Sequence, residues 1–197
     1  MSRFTQTLLL SGMIFVAAQL SGCAEAVVGG AVAGAGVVHD RRSAGTVLDD
    51  QVIEFSAIDR LLSDDEIYQK THVNVTSYNK ELLLTGEAPT EELRDKVYDQ
   101  LTGLPNVNRI HNEIAIAAPS SLLTRSSDTW ITAKTKTAMF QLKELKGFDP
   151  TRVKVITENG TVYLLGLVRR NEADAVTNAA RQVSGVQRVV KIFQYID

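Results

Sequence analysis

Val153-Lys-Val-Ile-Thr-Glu-Asn-Gly-Thr-Val-Tyr-Leu-Leu-Gly-Leu167 decides the fold of this chain. β-Branched and apolar residues flank Asn159-Gly160 on both sides. Asn-Gly suits a two-residue turn in which both residues take positive φ, so the stretch predicts a β-hairpin. A second copy lies upstream, Val73-Asn-Val-Thr-Ser-Tyr-Asn-Lys-Glu-Leu-Leu-Leu-Thr-Gly-Glu87. Val73 falls on Val153, Val75 on Val155, Asn79 on Asn159, Leu84 on Leu164 and Gly86 on Gly166. After a one-residue adjustment, Asn106-Val-Asn-Arg-Ile110 falls on Gly185-Val-Gln-Arg-Val189. A repeat of about 80 residues is too long for a solenoid unit and fits a small domain.

Working outward, residues 50–62 and 128–145 carry apolar positions at three- and four-residue spacing, such as Ile131, Ala138, Met139, Leu142 and Leu145, and so predict helices. Asp50 and Asp128 stand where N-caps belong. Val73–Ser77 with Leu82–Gly86, and Val153–Thr157 with Val162–Val168, form the hairpins. Helices at 90–102 and 170–183 lead into closing strands at 107–116 and 186–195. The fold class is therefore α+β: two αββαβ units, each a three-stranded mixed sheet covered on one face by two helices. The last strand of each is reached through a right-handed crossover. Gly86 and Gly166 relieve crowding where strands or turns approach. The units run over 46–117 and 128–197, joined by a linker at 118–127 that contains Pro119 and Ser120-Ser121.

The N-terminus has another plan. Arg3 precedes an uncharged apolar stretch that ends in Leu20-Ser21-Gly22-Cys23, as in a secretory signal over residues 1–22. These four residues resemble a bacterial lipobox. The resemblance implies lipidation of the Cys23 sulfur, cleavage before it and acylation of the freed amine. Each buried CH₂ of such acyl chains contributes about 0.8 kcal/mol, so several chains make a lasting anchor. In lipoproteins of this kind, Asp after the cysteine retains the chain in the inner membrane. Ala24 stands there, so the implied address is the periplasmic face of the outer membrane. Residues 23–45 form an Ala/Gly-rich tether whose apolar run, Ala26–Val38, is shorter than the roughly 20 residues a spanning helix needs. Asp40-Arg41-Arg42-Ser43 then turns the chain towards water. The sole cysteine leaves no intrachain disulfide to support the fold.

Charge divides the repeats. Residues 46–119 carry six Lys/Arg against fourteen Asp/Glu, a net of minus eight, and residues 120–197 carry twelve against seven, a net of plus five. A basic unit near a bilayer is drawn to anionic headgroups by about 1 kcal/mol per basic residue at the surface. Trp130, the only tryptophan, lies at the start of the second unit's first helix, with Lys134 and Thr137 on its face. Its ring suits the membrane interface, or else packs inside the unit with its N–H on a carbonyl. No dense basic stripe or interleaved aromatics point to nucleic acid. No Gly-x-Ser-x-Gly, phosphate loop or zinc spacing points to an enzyme. His39, His72 and His111 are scattered, so no metal or other cofactor is expected beyond the lipid on Cys23.

Val-x-Val, Asn-Gly, Val-x-Leu-x-Gly and Gly-Val-x-x-Val in one αββαβ unit resemble the BON domain. Two such units behind a lipobox are similar to the dual-BON outer-membrane lipoproteins. The first unit departs from the pattern at Lys80 and Leu104-Pro105-Asn106. The resemblance implies that the helix bearing Trp130, Lys134 and Lys136 binds anionic phospholipids such as phosphatidylglycerol and cardiolipin. It also implies a role in outer-membrane integrity. The alternative is a structural or protein-interaction module of the envelope, associated with the β-barrel assembly machinery.

Overall fold

The computed structural model describes residues 40–142 and 145–197. The signal segment, Cys23 and the tether up to residue 39 lie outside the described residues. In chain order the first unit comprises α1 (Ala44–Leu62), α2 (Asp65–Lys70), β1 (His72–Tyr78), β2 (Glu81–Ala88), α3 (Glu91–Leu101), β3 (Arg109–Asn112) and β4 (Ala115–Ile116). The second comprises α4 (Leu122–Phe140), a 3-10 turn at Pro150–Arg152, β5 (Val153–Glu158), β6 (Thr161–Val168), α5 (Arg170–Arg181) and β7 (Arg188–Tyr195).

Both hairpins form in the expected register, with Val75 opposite Leu84 and Val155 opposite Leu164. Positive φ at Asn79 (50°), Lys80 (67°), Asn159 (48°) and Gly160 (70°) makes the two turns equivalent. The closing strands run parallel to β2 and β6. Gly86 has φ of 112°, and a Cβ there would sit 1.9 Å from the His72 carbonyl oxygen, so only glycine fits.

The αββαβ scheme needs amendment in the first unit. Asp64 accepts hydrogen bonds from the N–H groups of Glu66 and Ile67 and starts the short helix α2, which drops Ile67 into the core. The closing strand breaks at Glu113-Ile114, where Ile114 turns inward and is buried. In the second unit β7 runs unbroken for eight residues.

The helix caps also differ from expectation. Ser43 and Ser121 are the N-caps of α1 and α4, accepting from the N–H groups of Thr46 (3.0 Å) and Thr124 (3.2 Å). Asp50 and Asp128 lie further along these helices, buried, and bind the hairpin turns instead. Asp128 accepts from the backbone N–H groups of Asn159 (2.8 Å) and Gly160 (2.9 Å). Asp50 does the same for Asn79 (2.7 Å) and Lys80 (2.8 Å), and also accepts from the Ser77 hydroxyl. A tight turn points its two amide N–H groups inward, where water does not reach, and a carboxylate from the overlying helix satisfies both.

Each unit has its own core between sheet and helices. Ile53, Ala57, Leu82, Leu84, Val97 and Leu101 lead the first. Ile131, Met139, Val155, Val162, Leu164 and Val176 lead the second. Strand periodicity sends the intervening residues to the opposite faces. There Tyr78 and Leu83 of one sheet join Tyr163, Leu165 and Ile192 of the other in a third buried cluster. The sheets thus pack through their helix-free faces, which explains why β2 and β6 are apolar at consecutive positions rather than alternate ones.

Bonds across this seam are numerous. Asn79 and Gln194 bond side chain to side chain, the Tyr78 hydroxyl donates to the Arg152 carbonyl (3.1 Å), and Lys154 pairs with Glu54 (3.0 Å). Arg41 and Arg42, expected to face water, are held inward. Arg41 makes a two-point bond to the buried Glu172 carboxylate (2.6 and 2.7 Å), while Arg42 pairs with Asp50 and stacks over Tyr78 at 4.0 Å.

Asp128→Ala should leave two turn N–H groups without partners and cost about 2–3 kcal/mol. Chemical denaturation checks this. Asp128→Asn, which retains one acceptor oxygen, should lose less, and equal losses would contradict the role given to the carboxylate.

Candidate functional site

Helix α4 begins at Leu122, six residues before the expected start, because Ser121 caps it. Trp130 therefore sits in its middle rather than its first turn. Ile131, Thr135 and Met139 face the core, while Trp130 is 70% exposed and does not pack inside the unit. A rotation of about 100° per residue places Leu123, Lys134 and Thr137 on the side of Trp130, with Leu122 and Phe140 at its edge. Leu122, Leu123 and Phe140 are 79%, 82% and 59% exposed. These leucines belong to the stretch expected to be linker, so sequence reasoning missed them. Ser120-Ser121 just before them was the available cap signal.

Lys134 extends to donate to the Ser184 carbonyl (3.1 Å), which fixes its stem along the helix surface. Lys136 is turned about 120° away from the Trp130 and Lys134 side. It lines a cleft of about 430 Å³ with Arg42, Tyr78, Phe140 and Lys154. The structure thus brings Trp130 and Lys134 together and separates Lys136 from them. Cys23 lies outside the described residues. Among the described residues, no helix is long and apolar enough to cross a membrane.

A second cluster occupies the seam between the units. His72, Glu87 and Glu158 approach one another there, their nearest ligating atoms within 4.8 Å. Both carboxylates are buried and already accept hydrogen bonds: Glu87 from the Asn159 side chain and the Ser120 N–H (3.1 Å), Glu158 from the Asn74 amide (2.9 Å). Burial pushes the Glu158 carboxyl above its ordinary value, and the Glu87 and Asp128 carboxylates push it further up against the Asn74 bond. Burial and then the Arg125 charge push the His72 imidazole down. The cluster accordingly acts as a polar clasp between the sheets, with electrostatic strain concentrated on Glu158.

The BON domain model matches this chain twice, over residues 49–118 and 127–197. The chain belongs to the BON-domain family. It is 37% identical over 190 residues to the outer membrane lipoprotein DolP of Haemophilus influenzae, covering 96% of this chain and 95% of that one. It is 38% identical over 157 residues to the 21 kDa hemolysin of Actinobacillus pleuropneumoniae, covering 80% and 79%. Among solved structures, the C-terminal domain of CdsD, a structural protein of the type III secretion system of Chlamydia trachomatis, aligns at 16% identity over 75% of this chain and 67% of that one. Its TM-score is 0.29.

Glu158 provides a pH test. A carboxyl raised in the folded state holds its proton more tightly there than in the unfolded chain. Its contribution to stability therefore falls as pH rises from about 4.5 through the folded value. Glu158→Gln should raise the melting temperature at pH 7, and the gain should vanish below about pH 4.5. Thermal melts across that range check it, and a loss of stability at pH 7 would contradict the clasp electrostatics.

Proposed function

We propose that the chain is a non-enzymatic outer-membrane lipoprotein, anchored through Cys23 on the periplasmic face, whose second BON unit reads anionic phospholipid and thereby supports outer-membrane integrity. The exposed Trp130 on α4, backed by Leu122 and Leu123 and carried by a unit with a net of plus five, is the observation that carries this reading. The relative from Haemophilus influenzae is named an outer membrane lipoprotein, and the chains match over nearly their whole lengths.

The chemistry divides between ring and cations. Trp130 places a large apolar surface at interfacial depth with its N–H towards headgroups. Lys134 lies beside it and pairs with a lipid phosphate by turning from the Ser184 carbonyl. Lys136 adds positive charge at the neighbouring cleft, where Arg42 and Lys154 are already paired with Asp50 and Glu54. Thr137 completes the polar margin. The acyl chains on Cys23 hold the protein at the membrane, and α4 adds composition sensitivity.

Two measurements test this. Mass spectrometry of the mature N-terminus should find Cys23 as the first residue, triacylated. An unmodified cysteine would overturn the anchor. A fragment of residues 40–197 should co-sediment with phosphatidylglycerol or cardiolipin vesicles better than with neutral ones, and salt should weaken the binding. Trp130→Glu should reduce binding at least fivefold with the fold intact. Equal binding to neutral and anionic vesicles would contradict the reading.

A further inference from the structure

Helix α1 has an exposed face that the lipid-reading helix does not explain. Leu48, Val52, Phe55, Ile58 and Leu62 are 62%, 61%, 74%, 42% and 56% exposed. Leu48, Phe55 and Leu62 repeat at seven-residue spacing, and Val52 and Ile58 flank them, so all five share one side of the helix. The opposite side, Ile53, Ala57 and Leu61, fills the core. These exposures correspond to an apolar surface on the order of 600 Å², against about 300–600 Å² for the largest patch on a typical monomer. No described element covers it.

The charge within and around the stripe selects its occupant. Asp59 lies between Phe55 and Leu62 on the exposed side and has no ion pair among the described residues. A bilayer offers a submerged carboxylate no partner, and an anionic one repels a unit of net minus eight. A second copy meeting the first through the same face would bring another minus-eight unit against it. Arg60 does not offset this, because its guanidinium reaches away to the Gln100 carbonyl (3.1 Å). A protein segment with an apolar face and Lys or Arg at its edge satisfies both demands, covering the stripe and pairing with Asp59.

We propose that the outer face of α1 docks an amphipathic protein segment whose apolar side is edged by basic residues, at a surface separate from the Trp130 helix. The two outer helices then serve different ligands, lipid at α4 and protein at α1. This assignment stands independently of the lipid reading.

The test uses the full-length chain in its own cells, with a photo-crosslinking amino acid at position 55 and, as a control, at the exposed Tyr98 on α3. Position 55 should give a discrete adduct with a different protein, and sequencing of the crosslinked peptide should find apolar residues at helical or strand spacing beside Lys or Arg. Position 98 should give no such adduct. Asp59→Lys, a surface change, should leave the melting temperature within about 1 °C and reduce the adduct at least fivefold. No adduct, an adduct of two copies of this chain, lipid adducts alone, or a crosslinked segment without basic residues would overturn the proposal. An adduct indifferent to Asp59→Lys would overturn it equally. Vesicle binding by the same Asp59→Lys chain should be no weaker than before, which separates failure here from failure of the lipid assignment.

Discussion

The packing of one sheet on the other is the contact on which the rest of this structure depends. Tyr78, Leu83, Tyr163, Leu165 and Ile192 are buried only because two sheets share them. Full burial of such side chains contributes about 1.5–3 kcal/mol each, which a single unit cannot obtain alone. With no cysteine available for an intrachain bridge, this shared layer substitutes for the covalent support common in small exported domains. Because the inner faces are used, each unit's helices remain on the outside. The outer surfaces of the helices and the rims of the seam thereby stay exposed.

Polar groups give the apolar layer a single register. Hydrogen-bonded contacts from Asn74, Tyr78, Asn79 and Lys154 cross the seam at separate points, so sliding one sheet past the other would break several of them. Arg41 adds a contact from the chain entering the first unit to Glu172 at the start of α5 in the second. The guanidinium holds the Glu172 carboxyl below its ordinary value. Its stabilisation is therefore fully present above about pH 4.5 and lost as pH falls through the depressed value, the reverse of Glu158. The end of the tether, residues 40–43, is thus built into the fold, although its sequence looks like a solvated turn.

The sequence revealed most of this where a local rule sufficed. Asn159-Gly160 and its weaker copy Asn79-Lys80 located both hairpins, and apolar periodicity located four of the five α-helices among the described residues. Asp50 and Asp128 misled because a carboxylate early in a helical pattern resembles a cap; their true partners are turn amides about thirty residues away in sequence. Helix α2 is too short to show a period. The sheet-to-sheet layer was written as consecutive apolar residues, Leu82-Leu83-Leu84 and Tyr163-Leu164-Leu165, but only the fold shows what covers their second face. At the candidate site, Trp130 and Lys134 were legible as neighbours on a helix. The contribution of Leu122 and Leu123 was not, since it depends on where the helix begins.

Repetition followed by divergence explains how one fold supports two surfaces. Val52 occupies in α1 the place that Trp130 occupies in α4, and each follows a buried aspartate by two residues. The shared aspartate maintains the hairpin, leaving the outward residue free to differ: aliphatic on an acidic unit, indole on a basic one. The proposed lipid reading requires this indole to enter the membrane. As the chain's only tryptophan, Trp130 reports its own surroundings by fluorescence. Vesicles of phosphatidylglycerol with brominated acyl chains should shift its emission to the blue and quench it, whereas neutral brominated vesicles should do neither. Unchanged emission from protein demonstrably bound to the anionic vesicles would contradict the account.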